Sequence, residues 1–139
     1  MASSLGLDKK KTVMVVDDDK DILRISGLGL ERAGFHVHAF SDPTDALKHI
    51  DEESCNVCEV LISDVRMPRM NGFQLVKRIR QFRPEMKVII MTAFEMNKEE
   101  FQSVFPSVRI DGVIKKPFPI SKLAANIYKM CLSESRALK

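Results

Sequence analysis

The amino-acid sequence predicts an α/β fold, namely a doubly wound sheet of five parallel strands with helices on both faces. Two observations predict it. Five short apolar runs alternate with five amphipathic stretches, and this alternation with short connections is typical of a parallel sheet. Four of the runs are nearly continuous in Val, Ile, Leu and Met, as expected of strands buried on both faces. The runs are residues 12–16, 35–40, 57–63, 87–91 and 112–115.

The second run differs from the other four. Phe35, Val37 and Ala39 alternate with His36 and His38. One face of this strand is therefore predicted to be in water, which suits a strand at the edge of the sheet. We expect both histidines to be exposed and not to bind a metal.

The first helix is predicted over residues 20–33. Asp19 is a suitable N-cap and Gly34 a suitable stop. Gly27 and Gly29 lie inside it, where each costs up to ~1 kcal/mol relative to Ala. Close packing on the sheet is one explanation for these two glycines.

Apolar residues recur at helical spacing in the third and last amphipathic stretches, and each set predicts a buried helix face. The fourth stretch, residues 94–111, contains Pro106, which predicts that its helix ends early. The two faces comprise Leu75, Val76, Ile79 and Phe82 in the third helix, and Ile120, Leu123, Ala124, Ile127, Tyr128 and Cys131 in the last.

The composition is that of one ordinary globular domain. The chain has 139 residues, 45% hydrophobic and 29% charged. Its net charge of +3 is too small to favour nucleic acid or an anionic membrane as the main partner. No apolar run approaches the ~20 residues that span a bilayer. The domain is predicted over residues 12–133, between a flexible tail at residues 1–11 and a polar tail at residues 134–139.

The three cysteines, an odd number, argue against a disulfide framework and favour a reducing compartment. Cys55 and Cys58 have CxxC spacing. A structural zinc site needs four ligands, however, and a redox pair normally begins a helix. We therefore interpret them as structural residues of a cytoplasmic protein.

Charged and hydroxyl side chains follow four of the predicted strands. Asp17 and Asp18 come after the first strand, Asp64 after the third, Thr92 after the fourth and Lys116 after the fifth. In doubly wound folds ligands bind at the carboxyl ends of the strands. We therefore expect these side chains to converge at one edge of the sheet.

Three carboxylates packed together repel one another unless a cation lies between them. Oxygen ligands without His or Cys favour Mg²⁺. With the ammonium of Lys116, such an ion offsets the acidic charge and attracts a phosphoryl group. A carboxylate can act as the nucleophile and form an aspartyl phosphate, with the cations stabilising charge on the transferred oxygens.

Four sequence blocks together resemble the motifs of a known protein family. They are Val15-Val16-Asp17-Asp18-Asp19, Asp64-Val65-Arg66-Met67-Pro68-Arg69-Met70-Asn71-Gly72, Thr92-Ala93 and Lys116-Pro117-Phe118. In this order they resemble the receiver domain of two-component response regulators, from about residue 12 to the last helix. The resemblance implies a flavodoxin-like (βα)5 fold with strand order 2-1-3-4-5.

The resemblance also implies a metal site. Asp64 would be the phosphoacceptor, and Asp18 and Asp64 would bind Mg²⁺ directly. Asp17 would act mostly through water, and the backbone carbonyl of Arg66 would complete the protein ligands.

The resemblance implies further features around this metal site. Thr92 would donate a hydrogen bond to a phosphoryl oxygen, and Lys116 would form an ion pair with the phosphoryl group. The bond between Lys116 and Pro117 would be cis, and Pro68 and Gly72 would shape the loop after the acceptor.

The implied function is a phosphorylation-dependent signalling switch and not an enzyme in the usual sense, apart from self-catalysed phosphotransfer and dephosphorylation. The implied donor is a sensor histidine kinase or a phosphotransfer protein, and the receiver of the signal is a downstream protein or output domain. No direct contact with nucleic acid or membrane is expected, and a homodimer is possible in this family.

The sequence departs from the family at Val113, where receivers usually have Tyr or Phe three residues before the conserved lysine. A switch here cannot use an aromatic rotamer at that position. Arg66 and Phe94 occupy two variable positions beside the acceptor. One hypothesis is that they shield the phosphoryl group from water and prolong its lifetime; the other is that both point to solvent.

Two other functions remain open from the residues. A phosphohydrolase of the haloacid-dehalogenase type would use Asp17 as nucleophile and Asp19 as acid, but it leaves the block that begins at Asp64 unexplained, and Asp21 stands where Thr or Val is usual. A pseudo-receiver that acts without phosphorylation is suggested by Val113, although the key positions are intact. A nucleotide site is excluded because Gly27-Leu28-Gly29 lies inside a helix.

Overall fold

A computed structural model of the chain describes residues 11–51, 58–93, 99, 102–103, 106 and 108–137. They contain a five-stranded parallel sheet of order β2-β1-β3-β4-β5, so the predicted fold class and strand order are confirmed. In chain order the elements are β1 Thr12–Val16, α1 Lys20–Arg32, β2 His36–Phe40, α2 Pro43–Asp51, β3 Cys58–Asp64, α3 Gly72–Phe82, β4 Lys87–Thr92, β5 Gly112–Lys115 and α4 Ile120–Ala137.

The sheet separates two apolar cores. Alternate residues of the central strands point to opposite faces. All five residues of β1 are buried, with Met14 and Val16 in one core and Val13 and Val15 in the other. Helices α2 and α3 cover one face and α1 and α4 cover the other. Representative members are Met14, Leu61, Val76 and Ile90 in the first core, and Val15, Leu30, Ile62 and Leu123 in the second.

Helix α1 begins at Lys20, as predicted, and ends at Arg32, one residue before the predicted end. The side chain of Asp19 accepts hydrogen bonds from the backbone N–H groups of Asp21 and Ile22, so it is the N-cap. Gly34 follows the helix with a φ of 103°, a conformation that glycine adopts without steric cost. The sequence signals for this helix are therefore confirmed.

The two glycines inside α1 have different environments. A Cβ atom at Gly27 would meet Val37 at 3.8 Å, which is an ordinary contact. A Cβ at Gly29 would lie 2.7 Å from Cγ1 of Ile120, which is far too close. The suggested packing of these glycines on the sheet is therefore wrong for Gly29, because its close neighbour is helix α4.

Strand β2 lies at the edge of the sheet, as predicted. The prediction of which side chains of β2 are exposed to water was partly wrong. Ala39 is exposed, whereas His38 is half-buried and lies 2.8 Å from His49, and Phe40 packs against the core beneath α2. Helix α2 covers the side that carries His38, so of the two strand histidines His36 alone is exposed as expected.

The predicted apolar face of α3 is correct for Leu75, Val76 and Ile79, which are buried. Phe82 is 48% exposed, so its assignment to that face was wrong. The helix ends at Phe82, and the next residue, Arg83, closes it by donating its N–H to the carbonyl of Ile79. The last turn therefore extends beyond the core that the earlier turns cover.

Helix α4 buries Leu123, Ala124 and Ile127. Tyr128 is instead 46% exposed. Its ring stacks at 4.8 Å on Phe35, and its hydroxyl donates to the carbonyl of Ala33, so it fastens α4 to the end of α1. The side chain of Cys131 lies outside the described residues.

Several predictions fall partly or wholly outside the described residues. They concern Cys55, Phe94 and most of the segment 94–107, where Gln102 and Ser103 are helical and Pro106 lies in a turn. The predicted domain boundaries stay a prediction, and α4 itself continues to Ala137. No helix in the described part of the chain is long and apolar enough to cross a membrane.

The contrast between the two helix glycines gives a matched pair of substitutions. Gly27→Ala should raise the free energy of unfolding by up to ~1 kcal/mol, because Ala is the better helix former and the contact distance is ordinary. Gly29→Ala should lower it by about 1–3 kcal/mol, because Ile120 is stiff at χ1 and cannot move aside cheaply. Urea unfolding measures both values, and a Gly29→Ala variant at least as stable as the wild type would contradict the tight α1–α4 contact.

Candidate functional site

Three carboxylates meet at the carboxyl edge of the sheet. Asp17, Asp18 and Asp64 each offer an oxygen atom, and these atoms all lie within 4.8 Å of one another. Asp17 is buried, Asp64 is half-buried and Asp18 is exposed. The structure thus brings together the acidic residues that the sequence placed at strand ends.

The sheet itself sets this convergence. Val16 of β1 is in register with Ser63 of β3, so the residues that follow, Asp17 and Asp64, are brought to the same edge. The N–H of Asp17 donates to the carbonyl of Phe40, which extends the ladder beyond β1. The acidic positions therefore follow from buried strands whose register is fixed by both cores.

Lys116 lies inside the acidic cluster. Its Nζ atom is 2.7 Å from Oδ2 of Asp17 and 3.3 Å from Oδ1 of Asp64. The Lys116–Pro117 peptide bond is cis, as the family resemblance implied, and the N–H of Lys116 donates to the carbonyl of Thr92 at 2.7 Å. The backbone of Lys116 is therefore held at the ends of β4 and β5, while its ammonium neutralises carboxylates at the ends of β1 and β3.

Both oxygens of Asp17 are engaged. Oδ1 accepts the backbone N–H of Asp19 at 2.9 Å, and Oδ2 binds Lys116. Because the side chain of Asp17 is fully buried, this pairing is what makes its charge tolerable. Its predicted action on a metal through water stays a prediction.

The pKa of Asp64 is raised by burial and by the charge of Asp17, while Lys116 and the N–H of Val65 act in the opposite direction. Burial alone would lower the pKa of Lys116, but its hydrogen bond and charge interaction with Asp17, followed by those with Asp64, raise it. The ammonium thus stays charged, and one positive charge faces three carboxyl groups. The cluster is short of positive charge.

The donor set fits a hard divalent cation. The residues of the cluster supply carboxylate oxygens alone, and such ligands suit Mg²⁺, which usually takes one or two carboxylates and keeps several waters. The exposed position of Asp18 leaves room for those waters. Arg66 lies two residues after Asp64 with an exposed side chain, and the role of its carbonyl as a ligand stays a prediction.

The loop after Asp64 is packed tightly against the acceptor strand. A Cβ atom at Gly72 would lie 2.2 Å from the carbonyl oxygen of Asp64, and the N–H of Gly72 donates to Val65 at 2.8 Å. The start of α3 is also fixed by a capping box between Asn71 and Gln74. Glycine is therefore required where α3 begins, which supports the predicted role of Gly72 in shaping this loop.

Thr92 and Val113 have different surroundings from the acidic residues. Thr92 is the last residue of β4 and is buried at the same edge of the sheet, and its role toward a phosphoryl group stays a prediction. Val113 is partly buried and packs against the core under α2 and α3. Its side chain thus fills part of the interior at the position where the family usually has an aromatic ring.

Sequence reasoning missed one contact of the acceptor loop. Arg69, which has a φ of 72°, forms an ion pair with Asp42. The Asp42 carboxylate also accepts hydrogen bonds from the hydroxyl and N–H of Thr44 at the start of α2, and these hydrogen bonds are the main reason that its pKa is lowered. Asp42 followed by Pro43 is a recognisable helix start, but no local signal identifies Arg69 as its partner.

The described geometry does not favour the phosphohydrolase alternative. In that mechanism Asp19 would supply a proton to the leaving group. Its carboxylate instead accepts hydrogen bonds from the N–H groups of Asp21 and Ile22 at 3.0 and 3.2 Å. Asp19 is thus committed to capping α1, so it is poorly placed to act as the acid.

Comparison with known proteins gives consistent matches. The chain is 31% identical over 123 residues to the response regulator receiver protein CpdR of Brucella abortus, covering 88% of this chain and 98% of CpdR. It is 35% identical over 119 residues to the transcriptional regulator NtrC of Proteus hauseri, but spans 24% of that protein. Similarity to the larger relatives is thus confined to one of their parts.

Solved structures agree with these sequence matches. A CheY-like receiver domain protein from Methanospirillum hungatei superposes with a TM-score of 0.81 at 25% identity, covering 93% of this chain and 99% of that one. The chemotaxis protein CheY4 of Vibrio cholerae gives 0.77 at 27% identity, with 87% and 98% covered. The family model described as "Response regulator receiver domain" matches residues 13–128. The chain therefore belongs to the response regulator receiver domain family, the phosphoacceptor signalling domains of two-component systems.

Proposed function

We propose that the chain is a switch that accepts a phosphoryl group on Asp64 from a phospho-histidine donor, in a reaction that depends on Mg²⁺, and relays its state to a partner. The observation that carries the proposal is the placement of Lys116 between Asp17 and Asp64 beside the exposed Asp18. This arrangement combines a nucleophile with a fixed positive charge and a further cation site.

The chemistry needs few protein groups. A carboxylate oxygen of Asp64 attacks phosphorus, the bond between phosphorus and the donor nitrogen breaks, and the donor nitrogen takes a proton. The state ends by hydrolysis, in which water attacks phosphorus, the bond between phosphorus and the Asp64 oxygen breaks, and inorganic phosphate leaves. Bound Mg²⁺ would supply positive charge to the phosphoryl oxygens, and Lys116 would turn from the carboxylates to the new anion. Thr92 would donate its hydroxyl to one oxygen.

Partners are inferred from the family and from the relatives. We propose that a sensor histidine kinase or a phosphotransfer protein is the donor and that a downstream protein or output domain is the target. Relatives include a sensor kinase, CckA, and the transcriptional regulator NtrC, which fits both directions of signalling. We place the protein in the cytoplasm with these partners, and we propose no direct contact of this domain with nucleic acid or membrane. A homodimer stays a possibility of the family.

A pseudo-receiver without phosphorylation is the second function carried over from the sequence. No observation favours it, since the acidic residues and Lys116 converge as a phosphoacceptor site requires. The valine at position 113 bears instead on how the state is relayed. With a small side chain packed in the core, the relay would proceed through Thr92 and the loops without an aromatic rotamer.

The first test is direct phosphorylation by a small donor. Incubation with acetyl phosphate or phosphoramidate and Mg²⁺ should add one phosphoryl group, seen by intact mass spectrometry, and the adduct should be absent without Mg²⁺. Asp64→Asn should remove it, because the amide is no nucleophile at this position. Asp45→Asn, at an exposed position of α2, is the matched control and should behave as wild type. A folded wild-type protein that gains no phosphoryl group would refute the proposal.

A substitution of Lys116 should change metal binding and phosphorylation in opposite directions. Lys116→Met should tighten Mg²⁺ binding, since the substitution removes a competing positive charge from the acidic cluster. It should nevertheless slow phosphorylation by about 10²–10³-fold, the usual cost of losing a group aimed at developing charge. Calorimetry of Mg²⁺ binding and the mass assay measure the two effects. Weaker metal binding together with unchanged phosphorylation would contradict the proposed role.

The shielding hypothesis concerns the lifetime of the phosphorylated state. Arg66 is exposed, and Phe94 lies outside the described residues. If both side chains exclude water, Arg66→Ala and Phe94→Ala should each shorten the half-life of the adduct, followed by mass spectrometry after removal of the donor. Unchanged half-lives in both variants would show that the side chains point to solvent.

A further inference from the structure

The three histidines of the chain lie on β2 and α2, outside the acidic site. His36 and His38 are on β2, and His49 is in the last turn of α2. Nδ1 of His38 lies 2.8 Å from Nε2 of His49, and the two rings meet edge to face with centroids 4.8 Å apart. Neither residue takes part in the proposed phosphoryl chemistry.

The two facing nitrogens form a pre-arranged pair of ligands. At 2.8 Å one nitrogen carries a proton and the other a lone pair. A metal ion can use a lone pair from each ring once that proton moves to the far nitrogen of its own ring. With Zn–N bonds of ~2.0–2.1 Å, two nitrogens on a tetrahedral ion lie about 3.3 Å apart, so the rings need to separate by roughly half an ångström. Small side-chain rotations suffice for this.

Regular elements of the fold hold the pair. His38 is in register with Met14 of the buried central strand, and α2 is anchored in the core by Ala46 and Ile50 on either side of His49 in the sequence. The ring of Phe40 packs on His49 at a centroid distance of 5.2 Å. Ligands on a strand and a helix are positioned more precisely than ligands on loops.

A third histidine lies on the same strand as His38. His36 is two residues before His38, so its side chain leaves β2 on the same side, and it is exposed. An exposed side chain on that side of the strand can change rotamer toward the facing pair.

We propose that His38 and His49 bind a divalent transition-metal ion of the Zn²⁺ class, with His36 as a third ligand and water completing the shell. Imidazole nitrogens suit Zn²⁺, Ni²⁺ and Cu²⁺, whereas Mg²⁺ takes oxygen ligands. The site is therefore chemically distinct from the acidic cluster. Binding would cross-link the edge strand β2 to α2.

The test uses the full chain with Mg²⁺ in excess, which occupies the acidic cluster. Cys55, Cys58 and Cys131 are replaced by Ser so that thiolates do not compete. Calorimetry with Zn²⁺ alone as the probe should show one site in this background. His38→Gln and His49→Gln should each weaken binding at least tenfold, because even groups that merely orient metal ligands are worth 10–100-fold. His36→Gln should weaken it as well.

Lys48→Gln provides the matched control, since Lys48 is exposed and adjacent to His49 on α2. This variant should bind Zn²⁺ as tightly as the background protein does.

A second measurement needs no histidine variant. Long-range ¹H–¹⁵N spectra of the imidazole rings should show His38 Nδ1 and His49 Nε2 shifting to metal-bound values on addition of Zn²⁺. Unshifted nitrogens, or binding that survives both substitutions, would overturn the site. Unchanged binding in His36→Gln would remove the third ligand.

Discussion

The ion pair between Lys116 and Asp17 is the interaction on which the rest of the site depends. Parallel strands in a fixed register bring three carboxyl groups to one edge of the sheet, and a fully buried carboxylate such as Asp17 is costly without a charged partner. The ammonium provides that partner at 2.7 Å. It reaches the site because β5 ends beside β4, where the N–H of Lys116 donates to Thr92. The order of the strands therefore determines which charged side chains meet at this edge.

Sequence patterns predicted most of this arrangement because the relevant signals are local or follow from parallel geometry. The apolar runs predicted the strands, Asp19 predicted the start of α1, and the strand ends predicted the acidic cluster. What the sequence could not predict depends on which element covers which face. His38 was expected in water because the contact with α2 is tertiary, and Phe82 was expected in the core because helical spacing does not show where the core stops.

The close backbone contacts explain further limits of sequence reasoning. The glycine at position 29 is needed because α4 crosses α1 there, with Ile120 in the space that a side chain would occupy. The glycine at position 72 is needed because α3 begins against the carbonyl of Asp64. Both requirements come from residues distant in sequence. The proposed nitrogen site between β2 and α2 likewise depends on a contact between a strand and a helix, that of His38 with His49.

The ion pair between Arg69 and Asp42 has a mechanical consequence for the acceptor loop. The inner end of the loop is fixed where Gly72 lies against the backbone of Asp64. Its outer side is fastened by a guanidinium that is 70% exposed, and such surface pairs contribute about 0–1 kcal/mol. Val65, Met67 and Met70 of the same loop pack against the core, so apolar contacts hold the loop more strongly than the ion pair does. The pair between Arg69 and Asp42 could therefore be exchanged for another contact while the loop that follows the acceptor stays packed.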